Sequence, residues 1–271
     1  WVVGLDDALE VAWHGIFDAP GTDNGRGVTA RPGGGSVVVG QYQSPDDNGS
    51  DAFMAALGDN GEVLWQRGWG GTDSDVAWAA ASHDGIIYVV GNTRSFGAGK
   101  QDAFILALDA DGQLLWRKVI GTAEDETTNA VDVSAEGIFL GGRSSVGADD
   151  DAAWMLHLTL DGEVLASHVY VNDGFCITNT LVTLPGVTAW AGYLSDSGDS
   201  DWFLAVTPNN NAQANACSFV GAGPELQVVD EGSTLGDAVV DLVALDGGWR
   251  SINVTSQSTE LEVVPACPVN P

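Results

Sequence analysis

Basic residues are scarce in this sequence. Nine Lys and Arg stand against 38 Asp and Glu, and the formal net charge at pH 7 is −29. Phosphate backbones and anionic lipid surfaces repel such a chain, so the charge predicts no nucleic-acid partner and argues against docking on membranes. Asp outnumbers Glu. That bias suits a surface in high salt or a calcium-rich extracellular medium, and it predicts an extracellular or cell-surface protein.

Long apolar runs and clustered cysteines are also missing. No run approaches the roughly 20 apolar residues that a membrane helix needs, so we expect no membrane insertion, and the given chain shows no signal peptide. Cys176, Cys217 and Cys267 have neither CxxC nor metal-ligand spacing and allow at most one disulfide. If a bridge forms, their predicted positions favour Cys217 with Cys267. Three unpaired thiols remain the alternative.

The strong enzymatic motifs are absent. The sequence contains no nucleophile elbow, HExxH, P-loop or dinucleotide fingerprint. The histidines are scattered, which favours structural roles over a metal centre; they are His14, His83, His157 and His168. Whether the chain is an enzyme is left open, with a non-enzymatic protein favoured.

What the sequence does have is a repeat. "SDAFMAALGDNGEVLW" at 50–65 recurs as "QDAFILALDADGQLLW" at 101–116, which is 51 residues further on. Further copies occupy 151–167, 200–219 and, in part, 1–13. Between the copies lies a second recurring hairpin, whose second strand ends at Gly40, Gly91, Gly141 and Gly192. Each period therefore holds two hairpins, or four strands.

This pattern predicts an all-β fold. Alternating apolar residues bounded by Asp-Gly or Pro-Gly turns are typical of antiparallel strands. Four-stranded units at this period are the signature of a β-propeller, in which each unit is one blade and neighbouring blades bury its faces. We expect the recurrent aromatic residues to form that packing; they are Phe53, Phe104, Trp154 and Trp202.

The partial copies at the two ends predict how the ring closes. We expect a single domain of five blades, the fifth built from both ends, with residues 1–7 pairing with 249–255. The predicted blades are 18–70, 71–121, 122–172, 173–220 and a composite of 221–258 with 1–17, followed by a tail at 259–271. A fragment of a longer propeller, or a subunit that self-associates through its terminal strands, is the alternative.

Residues 71–116 carry the motif in its fullest form, "GG…D…A…DGIIYVVGNTRSFGAGKQDAFILALDADGQLLW". This motif resembles the secreted bacterial and archaeal β-propeller repeats (SBBP-like), and the resemblance covers most of the chain. It implies the propeller fold and an exported or surface location, but no particular activity. The last unit departs from the pattern, since Asn253 stands where the earlier units have glycine.

Acidic residues concentrate in loops that a propeller would bring to one end of the ring. An Asp precedes the third strand of each unit and can accept hydrogen bonds from its own loop; these are Asp51, Asp102, Asp151 and Asp201. Further carboxylates in the same loops crowd like charges together and are candidate Ca²⁺ ligands: Asp46, Asp47, Asp149, Asp150, Asp196 and Asp199.

Three functions agree with this pattern. The first is a non-catalytic interaction or structural module with an acidic loop face. The second is a lectin-like propeller that binds a glycan or protein through calcium. The third is a five-bladed glycosidase, which requires paired carboxylates on the innermost strands, where only Asp132 and Asp241 qualify.

Overall fold

The computed structural model describes residues 1–18, 21–43, 49–145, 151–170, 175–196, 199–209, 227–229 and 241–243. Over these ranges the regular structure consists of nineteen β-strands in antiparallel sheets, with no helix. The predicted all-β class is confirmed. Nowhere in the described part of the chain is there a helix long and apolar enough to cross a membrane.

The strands group into successive sheets that follow the sequence repeat. An N-terminal hairpin is formed by β1 (Val2–Leu5) and β2 (Val11–Asp18). The first sheet contains β3 (Asn24–Ala30), β4 (Ser36–Gln43), β5 (Ser50–Leu57) and β6 (Val63–Trp69). The second contains β7 (Asp75–His83), β8 (Ile86–Thr93), β9 (Asp102–Leu108) and β10 (Leu114–Gly121).

Two further sheets continue the series. The third contains β11 (Glu126–Ser134), β12 (Gly137–Ser145), β13 (Asp151–Leu158) and β14 (Val164–Tyr170). The fourth contains β15 (Phe175–Leu184), β16 (Val187–Asp196) and β17 (Asp199–Pro208). Two short strands lie on outer edges: β18 (Gln227–Val229) pairs with β10, and β19 (Asp241–Val243) pairs with β2.

Consecutive sheets stack face to face and bury the apolar residues of both. Phe104 of the second sheet is fully buried against Trp69 of the first, with ring centroids 4.4 Å apart. Trp154 of the third sheet is buried with Ile105 of the second. Phe53 packs against the N-terminal hairpin. The predicted packing role of these three repeat aromatics is confirmed.

Trp202 departs from that prediction, because 61% of its surface is exposed. The partner of Gly192 across the sheet is Phe203, just as Phe53 is the partner of Gly40. Phe203 therefore occupies the repeat position, and Trp202 is displaced from it by one residue. A shift of one residue along a strand moves a side chain to the opposite face of the sheet.

The tryptophan that ends each repeated hairpin links one sheet to the next. Trp65 Nε1 of the first sheet donates a hydrogen bond to Ala110 O in the β9–β10 turn, at 3.0 Å. Trp13 of the N-terminal hairpin donates in the same way to Asp59 O, at 3.0 Å. In the turn that receives Trp65, Gly112 has a φ of +74°, and a Cβ there would lie 2.7 Å from the indole. The repeat of turn glycine and terminal tryptophan is therefore a contact between units.

The predicted pairing of residues 1–7 with 249–255 stays a prediction, because 249–255 lie outside the described residues. The strand seen beside the N-terminal hairpin is β19, which pairs with β2. Asp241, expected on an innermost strand, thus lies at the outer edge of this hairpin. The sequence reasoning missed this because a strand of three residues carries too little periodicity to identify its partner.

Candidate ligand-binding cavity

The first strands of the four sheets lie side by side: β3 packs against β7, β7 against β11, and β11 against β15. Each of these strands carries one extra residue relative to its partner strand, at the same place in the repeat, as in a β-bulge. Bulges re-aim side chains and are frequent at functional sites. The four extra residues are Arg26, Trp78, Asn129 and Asn179, and all four line one cavity.

The repeated glycines explain why the bulge is possible. Gly91 faces β7 so closely that a Cβ on it would lie 1.9 Å from Val76 O. Gly40, Gly142 and Gly192 show the same close approach, at 1.9, 1.7 and 1.8 Å, to a carbonyl oxygen of their own first strand. In the third sheet the glycine at this position of the repeat is therefore Gly142. The prediction of Gly141 from the sequence was wrong. Glycine is required because a side chain would push the first strand away.

The cavity has a volume of about 750 Å³, within the usual range for sites that hold small organic ligands. Besides the bulged residues, its wall includes the residue that follows the glycine in three sheets, namely Gln41, Asn92 and Arg143. Arg94, Gln101 and Thr127 also contribute. Among the lining residues that belong to the described part of the chain, none is acidic or histidine.

Several wall residues are held by specific contacts. Asn92 Oδ1 accepts a hydrogen bond from Thr128 N of the next sheet at 2.9 Å, in a buried position. The guanidinium of Arg26 lies over the indole of Trp78, 4.3 Å from the ring centroid. Arg94 Nε donates to Gln101 Oε1 at 3.2 Å. These contacts restrict the side chains and so reduce the entropy lost when a ligand binds.

Two polar atoms at the wall have no hydrogen-bond partner among the described residues. They are Trp78 Nε1 and Thr127 Oγ1, both buried. Both atoms have almost no exposed surface, so a ligand in the cavity does not reach them unless the side chains move. The polar groups that the wall offers to a ligand are its arginine and amide side chains.

The predicted calcium ligands are not assembled by the described structure. Asp46, Asp47, Asp149 and Asp150 lie outside the described residues. Asp196 and Asp199 are backbone partners at the ends of β16 and β17. Among the described residues, no group of three Asp, Glu, His or Cys side chains is placed to hold a metal ion.

The prediction that the carboxylates before the third strands accept hydrogen bonds from their own loops is confirmed for Asp102. Asp102 is buried and accepts hydrogen bonds from Gly99 N at 3.0 Å and Ala98 N at 3.4 Å. Asp151 accepts from Ser145 Oγ at 2.8 Å and pairs with Arg143 at 2.9 Å. Asp51 accepts from Tyr42 OH at 3.4 Å. Asp102 therefore organises its own loop, whereas Asp51 and Asp151 are bonded to side chains of the preceding strand, β4 and β12. The fourth, Asp201, has no described side chain.

A second set of buried carboxylates stands at the start of the first strands. Asp75 accepts from Gly71 N at 3.0 Å and Ser95 Oγ at 2.7 Å. Desolvation raises the pKa of Asp75, although its hydrogen bonds work in the opposite direction. Glu126, the equivalent in the third sheet, accepts from Thr122 N at 2.7 Å and Ser144 Oγ at 2.7 Å. Both acids tie the incoming loop to its sheet.

The residues predicted for a glycosidase do not reach the cavity. Asp132 accepts hydrogen bonds from Val133 N at 2.9 Å and Thr183 N at 2.7 Å, and it joins the third sheet to the fourth. It is absent from the cavity wall. The position of Asp241 in β19, beside β2, likewise differs from the innermost strand that this mechanism needs.

The histidines and the described cysteine lie away from the cavity wall. His157 is buried, stacks on Phe139 at 4.1 Å and contacts Glu136 O at 2.8 Å. His83 lies 3.5 Å from Asp84. Cys176 is buried and unpaired, and burial raises the pKa of its thiol to about 11. Cys217 and Cys267, the predicted pair, lie outside the described residues.

No protein-family model and no curated protein matches this sequence. Sequence reasoning placed the interaction surface in the acidic loops and missed the cavity. The available signal was one position of each first strand, where a side chain stands that is longer than both of its immediate neighbours: Arg26, Trp78, Asn129 and Asn179. Only the bulge reveals that these positions face one another.

Proposed function

We propose that this protein is a non-catalytic binding module with the form of a five-bladed β-propeller, and that it binds a small polar ligand in the cavity between its first strands. The observation that carries the proposal is the bulge repeated in four sheets, which aims one side chain from each at the same space. The described wall residues are mostly polar, with arginine, amide and hydroxyl side chains around this space.

Two open apolar faces support closure into a ring. On β17, Trp202, Leu204 and Val206 are 61%, 58% and 58% exposed. On the N-terminal hairpin, Trp1 and Leu5 are 61% and 55% exposed. In a ring of five sheets, the fourth sheet and this hairpin are neighbours, so each face covers the other. Exposed apolar patches of this kind are typical of surfaces that pack against another part of a protein.

The non-catalytic part of the proposal rests on the composition of the cavity wall. General acid-base and nucleophilic mechanisms use carboxylates, histidines or activated nucleophiles within reach of the substrate. The wall offers arginine, amide and hydroxyl groups instead. Such groups orient and hold a ligand through hydrogen bonds but have no pKa suited to proton transfer near neutral pH.

The setting we propose is extracellular or at a cell surface, with a glycan or protein partner. Support comes from the net charge of −29, the resemblance to secreted propeller repeats, and the acidic loops at 44–51 and 146–151. An acidic surface suits a calcium-rich or salty medium.

A thermal-shift screen tests ligand binding in the cavity. Sugars, sugar acids, amino acids and organic acids are added to the wild type, to the double variant Asn129→Leu/Asn179→Leu, and to the turn variant Asn60→Leu as a control. A ligand at 100 times its Kd contributes about 2.7 kcal/mol, which raises Tm by about 5–10 °C in a domain of this size. We expect that rise in the wild type and the turn variant, but not in the cavity variant.

Two results contradict the proposal. A stabilising compound that acts equally on the cavity variant binds elsewhere. Chemical conversion of the bound compound, detected by mass spectrometry after incubation, refutes a non-catalytic module. Far-UV circular dichroism of each variant shows that the comparison is made between folded proteins.

A further inference from the structure

The charge inside the cavity is opposite to that of the protein. Three of the nine basic residues in the chain, Arg26, Arg94 and Arg143, line it, and no acidic residue of the described part of the chain does. With 38 acidic residues in the sequence, an electropositive cavity is not what composition alone predicts. Guanidinium groups gathered in a concave site interact far more strongly with an anion than the same groups on an open surface.

The three arginines are not equivalent. Arg143 forms an ion pair with Asp151 at 2.9 Å, so much of its charge is already neutralised. Arg26 and Arg94 have no carboxylate partner among the described residues. Arg26 is stacked on Trp78, and stacking uses the flat face of the guanidinium. A guanidinium that contacts a ring through its face keeps its N–H groups for a two-point hydrogen bond to an oxyanion.

Arg94 is prepared in a similar way. Its Nε donates to Gln101 Oε1 at 3.2 Å, which fixes the guanidinium while leaving the terminal N–H groups for another acceptor. Asn129 lies on the same wall, and its amide can pair with the hydroxyl groups of an organic ligand. The wall thus combines anion donors with neutral donors and acceptors.

We propose that the cavity binds the oxyanion group of a small hydroxylated organic acid, with Arg26 and Arg94 as the donors to that group. This inference rests on the proposed function and specifies its ligand. The net charge of −29 favours a small ligand, because the acidic chain as a whole repels a long polyanion. A ligand with one or two negative charges gains from the arginines and loses little to the distant carboxylates.

Isothermal titration calorimetry at a fixed ionic strength of about 0.15 M tests the inference. The probes are galacturonate, its neutral counterpart galactose, and sulfate as a competitor. We expect saturable binding of galacturonate, displacement by sulfate, and binding of galactose at least about tenfold weaker, since charge-assisted hydrogen bonds contribute about tenfold to a hundredfold in affinity.

Variants locate the binding. Arg26→Gln and Arg94→Gln each weaken galacturonate binding by about tenfold or more, and Arg26→Lys restores part of the loss because it keeps the charge without the planar fork. Arg117→Gln is the matched control. It removes the same charge from β10, outside the cavity wall, and leaves the affinity unchanged. Melting temperatures of the variants show that they are folded.

The outcomes separate this inference from the proposed function. Equal affinity for galactose and galacturonate, with loss of both in the Asn129→Leu/Asn179→Leu variant, overturns the oxyanion assignment and leaves the binding module standing. Galacturonate binding that is insensitive to both arginine variants overturns the assignment as well. Absence of saturable binding for both galacturonate and sulfate also overturns it, and the thermal-shift screen then decides the fate of the binding module.

Discussion

The second and fourth sheets are built from the same repeat but end in different surroundings. Ile105 of β9 and Leu204 of β17 occupy equivalent places, each one residue after the partner of the repeat glycine. Ile105 is fully buried between the second and third sheets, whereas Leu204 is 58% exposed. The comparison shows that the apolar pattern of a unit specifies a face for packing, and that a neighbour must supply the cover.

The largest expected effect is the loss of stability when Ile105 or Leu204 is replaced by alanine. Ile105→Ala removes buried atoms and should lower the free energy of unfolding by about 2–5 kcal/mol. If the ring closes as proposed, Leu204→Ala should also destabilise, by more than about 1 kcal/mol, because the N-terminal hairpin then covers it. Leu115→Ala, at an exposed position of β10, serves as the surface control and should change stability by less than about 0.5 kcal/mol.

Urea unfolding followed by circular dichroism measures all three variants. A Leu204→Ala value equal to that of Leu115→Ala would mean that the apolar face of the fourth sheet stays open in solution. In that case the five-sheet ring is wrong, and the fourth sheet is an end of the stack. Dependence of the Leu204→Ala effect on protein concentration would indicate a second copy as the cover instead.

The sheet arrangement was predictable from the sequence because the relevant information is local and repeated. The Asp-Gly turns, the apolar run from Ala103 to Leu108 and the terminal Trp65 and Trp116 each recur with the period of the repeat. Each recurrence corresponds to a contact, such as the hydrogen bond from Trp65 to the following turn. The class of the fold follows from these signals without knowledge of distant neighbours.

The cavity was not predictable in the same way. A bulge shifts the register by one residue, and the sequence shows only a glycine on the opposite strand. In the third unit, even the choice between Gly141 and Gly142 required the pairing of Gly142 with Thr128. Arg26 and Asn129 line the same cavity because the first strands of separate sheets approach each other. No local sequence pattern encodes that approach.

The second prediction compares two paired glycines of the first sheet. Gly40 and Gly25 lie opposite each other on β4 and β3. A Cβ on Gly40 would lie 1.9 Å from Asn24 O, whereas a Cβ on Gly25 would meet no atom within 4 Å. Gly40→Ala should therefore cost about 1–3 kcal/mol, and Gly25→Ala should be neutral or stabilise by up to about 1 kcal/mol.

Urea unfolding distinguishes Gly40→Ala from Gly25→Ala, and we expect the two variants to differ in ligand binding as well. Displacement of β3 by the new methyl group would move Arg26, so Gly40→Ala should also weaken ligand binding, while Gly25→Ala leaves it intact. Equal stability of the two variants would show that the bulge tolerates a side chain. The account of the repeated glycine would then fail.

The smallest expected effect is a change of stability with pH. It compares the second and fourth sheets at one position of the repeat. Asp75 and Cys176 both lie two residues before the start of the bulge in their first strands, and both are fully buried. Desolvation raises the pKa of Asp75, and burial raises the pKa of Cys176 to about 11. The thiol is therefore neutral throughout the acidic and neutral range, whereas the fold keeps the Asp75 carboxyl group protonated to a higher pH than usual.

The sign follows from proton binding. Below the ordinary Asp pKa of about 3.9, Asp75 is protonated in both the folded and the unfolded chain, and its burial carries no ionisation cost. Between that value and the raised pKa, the folded state binds more protons, so stability falls as pH rises, and the cost stays constant above the raised pKa.

Asp75→Asn cannot ionise, so its stability relative to the wild type should increase as pH rises from about 3 to 7. Cys176→Ser should show no such trend. Thermal melts of the three proteins across this pH range decide the matter. A difference between Asp75→Asn and the wild type that is flat, or that decreases with pH, would mean that the hydrogen bonds from Gly71 and Ser95 outweigh desolvation and that Asp75 is stabilised in its charged form.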